Sequence, residues 1–102
     1  MIVQRWQGDK TLSIDEIRSC YQIKSDQDFI EETIASGQTF KEHYHTFLEI
    51  RIICQGELLC KIAGNQILLR PGDRIEIPAN TKHSYVNNYK SDCISLVGYY
   101  SF

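Results

Sequence analysis

Three histidines and one glutamate carry the chemistry of this chain: His43, His45, Glu49 and His83. His43, His45 and Glu49 fall with two glycines at the spacing G-x5-H-x-H-x3-E-x6-G, from Gly37 to Gly56. A second set, Gly72, Pro78, His83 and Asn87, follows at G-x5-P-x4-H-x3-N. Together the two sets hold every histidine of the chain. Three imidazoles with one carboxylate suit a divalent transition metal, Fe, Mn, Ni, Cu or Zn, better than Ca or Mg. An ion held by four protein ligands keeps positions open for water, dioxygen or a substrate oxygen when it prefers five or six.

Those donors must be brought together by the backbone. Side chains alternate faces along a strand, so His43 and His45 point the same way, about 7 Å apart at roughly 3.3 Å per residue, with Tyr44 opposite. Glu49 would lie about 13 Å from His45 on a straight strand, too far to share an ion. The chain must therefore turn over Thr46-Phe47-Leu48, and His83 must arrive from a second hairpin turning at residues 78–82. Gly37, Gly56 and Gly72 read as strand ends needing positive φ or close backbone approach.

The rest of the chain fits this demand. Ser13-Ile14-Asp15-Glu16 reads as a capping box with Leu12 and Ile17 as its staple, predicting a short helix over residues 14–20. Strand patterns follow over 29–36, 38–45, 49–55, 57–62, 66–70, 73–77, 83–88 and 92–100, with a hairpin signal at Ala63-Gly64-Asn65. Short, evenly spaced strands with turn residues between them predict an antiparallel barrel or two-sheet jelly roll.

At this point the chain resembles the cupin superfamily, through both of its signature motifs. The first matches at Gly37, His43, His45, Glu49 and Gly56. The second matches at Gly72, Pro78, His83 and Asn87, with Asn80 standing where the family pattern has glycine. Asparagine tolerates a left-handed backbone best after glycine, so the turn is expected to survive. The resemblance implies a small double-stranded β-helix barrel, metal ligands His43, His45, Glu49 and His83, and a homodimer; with the capped segment, the expected fold is all-β with one short N-terminal helix. Cupin functions span dioxygenases, decarboxylases, isomerases and binding proteins, so the family leaves the reaction open.

Other residues have rival readings. Counting by twos from Glu49 turns Arg51 and Ile53 inward and Ile50 and Ile52 outward. Arg51 would then anchor a substrate carboxylate or pair structurally with an acidic side chain. The Glu49-Ile50-Arg51 run also looks like the corresponding stretch of acireductone dioxygenases, whose H-x-H to Glu gap is usually one residue greater. Tyr85 and Asn87 share a face with His83, Tyr85 as a pocket donor or as barrel filling. Phe40 and Phe47 read as pocket wall or core, and Lys82 as solvated. Trp6 reads as a strand residue pairing with the barrel or a partner, and Tyr99, Tyr100 and Phe102 as core closure or a dimer contact.

Composition bounds what remains. With 102 residues the expectation is one domain, 1–102. A net charge of −2 with interspersed signs offers no footprint for nucleic acid or an anionic membrane. No apolar run approaches membrane-spanning length and the first residues lack a secretion signal, so cytoplasmic residence is expected. Cys20, Cys54, Cys60 and Cys93 lack metal-knuckle spacing and read as reduced thiols. There is no G-x-S-x-G elbow and no glycine-rich phosphate loop.

The leading expectation is a metal-dependent enzyme, dioxygenase- or isomerase-like, acting on a small oxygenated or acidic molecule. Glu49, Arg51 and Tyr85 are its catalytic candidates, with Glu49 a base if it leaves the ion. The alternatives are a metal-containing module that binds or senses a small ligand, and a purely structural metal.

Overall fold

The computed structural model describes residues 1–8, 12–23 and 28–101. Among them are nine strands and one helix: β1 (Ile2–Gln4), α1 (Ile14–Cys20), β2 (Ile30–Ile34), β3 (Thr39–His43), β4 (Leu48–Gln55), β5 (Leu58–Ile62), β6 (Asn65–Leu69), β7 (Arg74–Ile77), β8 (His83–Val86) and β9 (Cys93–Tyr100). They form two antiparallel sheets in the orders β1-β7-β4-β9-β2 and β3-β8-β5-β6. This is the expected jelly-roll barrel. Phe102 lies outside the described residues.

The helix forms where its cap dictates. Glu16 N–H donates to Ser13 Oγ at 3.2 Å, and Ser13 N–H donates back to Glu16 Oε1 at 3.1 Å. Ile17, the staple residue, is buried in an outer apolar cluster with Ile50, Ile52, Cys54 and Leu96, against which Leu12 packs. An inner cluster fills the barrel with Ile34, Ile53, Leu58, Cys60, Ile62, Leu69, Ile75, Ile77, Tyr85 and Cys93. The middle of the large sheet is thus buried on both faces, and β4 runs through it.

Only one of the three turns drawn from the sequence is a hairpin. β5 and β6 pair across Ala63-Gly64, both at positive φ (50° and 78°), with Asn65 already in the strand opposite Ile62. β3–β4 and β7–β8 are not hairpins, because each pair divides between the two sheets. Both connections cross the barrel at one end, which brings their residues together there. β3 also stops at His43 rather than running to residue 45, after its register against β8 slips between Phe40 and His43. His45 therefore sits in the crossing loop.

The N-terminal segment adds a strand that the pattern does not reveal. β1 pairs with β7, Ile2 opposite Glu76. Trp6 lies beyond its end and is not a strand residue. Its N–H donates to Asp73 Oδ1 at 2.9 Å, and its side chain lies over Gly72, where an added Cβ would stand 2.6 Å from Trp6 Cβ. Asp73, only 4% exposed, also accepts from Arg5 and from the Arg70 N–H. Asn87 is fully buried and spent on backbone: its amide donates to the Ile34 and Ser91 carbonyls and its Oδ1 accepts from the Tyr89 N–H.

Candidate metal centre

The two crossings deliver His43, His45, Glu49 and His83 to one place. One donor atom from each lies within 4.8 Å of all the others. His43 closes β3, Glu49 is the second residue of β4, and His83 opens β8, opposite His43 across the ladder. His45 is fixed through its backbone: its carbonyl accepts from the Asn80 N–H at 2.6 Å. Asn80 adopts φ of +63°, so the turn survives the loss of glycine.

The rings are oriented by hydrogen bonds on their far sides. Nδ1 of His43 and of His83 each donate to a carbonyl, those of Lys41 and Thr81, at 2.8 Å. A carbonyl only accepts, so both Nδ1 atoms carry hydrogen, and in the neutral ring each Nε2 presents a lone pair. Among the described residues, His45 Nε2 and His83 Nε2 are buried and have no hydrogen-bond partner. They face Glu49 Oε1 at 3.2 and 3.4 Å, inside ion-pair range but without hydrogen-bond alignment.

Those separations suit a shared cation. Two donors ~2.1 Å from one ion stand about 3.0 Å apart at a right angle and about 3.4 Å apart at the tetrahedral angle. Buried ring nitrogens without a hydrogen-bond partner, facing a carboxylate oxygen, are costly unless something positive joins them. The donor set fits a divalent transition ion.

Glu49 is 1% exposed, and its two oxygens face different partners. Oε1 faces the histidines, while Oε2 accepts from the Tyr85 hydroxyl and from Arg51 Nε at 3.3 Å. Arg51, 2% exposed, lays its guanidinium 4.4 Å from the Tyr85 ring centre and sends Nη1 to Glu32 Oε1 at 2.8 Å. Burial alone would raise the Glu49 carboxyl; His83, Arg51 and Tyr85 together outweigh it and hold the pKa at about 2. Burial likewise opposes the charge of Arg51, but Tyr85, Glu49 and Glu32 outweigh it and raise its pKa. Tyr85 is pushed well above its ordinary value, by burial first, so it stays a neutral donor.

The histidines diverge. Burial lowers the pKa of His45, with Glu49 opposing it. Burial also pulls down on His83, but Glu49 and the Thr81 carbonyl prevail and raise it.

An aromatic wall flanks the solvent side. Phe47 stacks on His45 at 4.6 Å between centroids, and Tyr99 meets both edge-on at 5.0 and 5.7 Å. Phe47 is therefore wall, while Phe40 packs against the inner core. Tyr99 is the site neighbour that the sequence reading misses: it pairs with Glu49 across β4 and β9, and Tyr100 beside it packs on the outer core. Lys82 is exposed, as expected.

The chain matches the family model for the cupin domain over residues 30–99. It is 28% identical over 89 residues to a quercetin 2,3-dioxygenase of Bacillus subtilis (strain 168), covering 82% of this chain and 26% of that protein. It is 40% identical over 50 residues to an acireductone dioxygenase of Bacillus licheniformis, covering 44% of this chain and 28% of that one. The chain thus spans little more than a quarter of these relatives, 26% and 28% of their lengths. A Cupin 2 conserved barrel domain protein from Salinispora arenicola CNS-205 superposes with a TM-score of 0.65 at 22% identity, over 70% of this chain and 60% of that chain. That likeness is one of fold.

Proposed function

The chain belongs to the cupin family, and from that premise we propose that it is a metal-dependent enzyme of the dioxygenase type, acting on a small oxygenated or acidic molecule. His43, His45, Glu49 and His83 would hold the ion. The observation that carries the reading is the pair of donorless, buried Nε2 atoms aimed at Glu49 Oε1. A divalent iron, manganese, nickel, copper or zinc ion bound there supplies Lewis acidity and, where redox-active, dioxygen chemistry. The chain's own residues hold the carboxylate still. Tyr85 and Arg51 clamp Oε2, so Glu49 presents Oε1 in one orientation, and both act in this reading as positioning residues. Phe47 and Tyr99 shield one side of His45 from water. Two distant relatives named as dioxygenases support the reaction class.

The second reading, a metal-containing module that binds or senses a ligand without turnover, is favoured by one observation. Arg51 and Tyr85 are both committed to Glu49, leaving neither free to meet a substrate. One experiment separates the readings: elemental analysis with a His83→Ala control, followed by oxygen uptake of the loaded protein on small acidic and enolic compounds. Stoichiometric metal lost in the control, with substrate-dependent uptake, is the expected result. Metal without turnover would leave the binding module, and no metal after reconstitution would overturn both.

The reading extends to a homodimer in the cytoplasm. Edge strands β1 and β2 carry Ile2 and Ile30, 57% and 54% exposed, which supports pairing with a second copy. No helix among the described residues is long and apolar enough to cross a membrane. A monomer mass by light scattering would remove the dimer.

A further inference from the structure

The Arg51 guanidinium leads out of the site as well as into it. Its shorter ionic contact is not with Glu49, at 3.3 Å, but with Glu32, at 2.8 Å. Glu32 lies on edge strand β2, separated from β4 by β9. On β2, Ile34 enters the inner core, and the two-residue period turns Glu32 the same way, while Glu31 and Thr33 are exposed. A carboxylate on the barrel side of a strand, 27% exposed and met by a guanidinium 2% exposed, requires a reason.

The charges supply one. Around the four donors the protein buries Arg51 and Glu49 as a pair, and a divalent ion would add two positive charges beside it. Without Glu32, the guanidinium and the ion would compete for a single buried carboxylate, at short range and low dielectric. With Glu32, the guanidinium has its own counter-charge on the side away from the histidines. We propose that Glu32 is a positioning residue of the metal centre, acting through Arg51: it neutralises the buried guanidinium so that Glu49 Oε1 stays available to a divalent cation. The inference rests on the metal reading above. A rival account exists in the fold itself, since an inward charge on an edge strand also blocks edge-to-edge pairing.

The test is chelator-competition titration of Mn(II) and Zn(II) on wild type, Glu32→Gln, Glu32→Asp and Glu31→Gln, with the melting temperature of each metal-free protein as the folding control. Glu32→Gln should bind about 10–100-fold more weakly, the range for losing a partner that orients a ligand. Glu31→Gln removes the same charge from the exposed face of the strand and should bind like wild type. Glu32→Asp keeps the charge one methylene further from Arg51 and should fall between wild type and Glu32→Gln; should Glu32→Gln be too unstable to assay, this variant carries the test against wild type. Equal affinity in wild type and the Glu32 variants, with or without new oligomers, would overturn this proposal and leave the metal reading intact. Equal weakening in Glu31→Gln would overturn it too, as an effect of net charge alone. No binding by wild type would overturn both.

Discussion

The two faces of β4 are equally hidden from water and chemically unlike. Residues 49–54 are all buried. Ile50, Ile52 and Cys54 face the outer cluster around α1, while Ile53 enters the barrel and Glu49 and Arg51 lie on the same side as Ile53. An isoleucine fully removed from water contributes about 1.5–3 kcal/mol, so the outer face stabilises the fold directly. A buried ion pair roughly breaks even, because desolvation cancels most of its attraction. The outer face holds the sheet to its helix; the inner face holds a carboxylate in place with little net gain in stability. What the strand stores inward is geometry.

The largest test of that division is Arg51→Ala. It strands Glu49 without its cation, and breaking a buried pair costs about 3–5 kcal/mol. Against the ~5–15 kcal/mol that small domains possess, this variant should lose a large share of its stability, as read by urea denaturation. A cost under 1 kcal/mol would mean that Glu49 does not depend on Arg51. Next is Ile52→Ala on the other face, at 1% exposure. It should cost about 2–5 kcal/mol through lost transfer energy and a cavity. Its metal affinity, measured below its melting temperature, should equal wild type. A matching loss of affinity would break the comparison, since the outer face would then be shaping the site.

A third test uses protons. Glu49 raises the pKa of His83 in the metal-free protein, so acid protonates the nitrogen that a metal would need more readily than in a free imidazole. Proton and metal compete for that nitrogen, so affinity should rise with pH, by at most about tenfold per unit for one proton, and level off once the ring is neutral. His45 adds little to this slope near neutrality, because burial lowers its pKa. Titrations at pH 6, 7 and 8 check this, and Ile52→Ala should follow the wild-type slope.

What could be read in advance follows the same division between local and distant. The helix, the turn at Asn80, the four donors and the inward parity of Arg51 are properties of short stretches, and capping, turn chemistry and the two-residue period expose them. Four things needed strands distant in sequence. The crossings look like hairpins until the sheets are assigned, because a loop does not say whether its strands pair. Tyr99 becomes a site residue only through its register with Glu49, 50 positions earlier. Glu32 reads as one of two adjacent surface acids until Arg51, 19 residues on, is found reaching it. β1 has only three residues, too few for any period, and exists because β7 offers an edge.

The smallest effects test whether the two faces are energetically separate. Ile52→Val and Ile53→Val remove one methyl each from adjacent residues, 1% and 0% exposed, on opposite sides of the sheet. Each should cost about 0.5–1.5 kcal/mol. Neither should change metal affinity, although Ile53 shares the inner face with Glu49 and Arg51, because the site depends on charged partners and not on inwardness itself. The double variant is the sharper measurement. The two methyls pack in different clusters and share only the backbone of β4, so their costs should add to within about 0.5 kcal/mol. A larger coupling would show that β4 shifts as a unit, and that packing against α1 reaches the carboxylate after all.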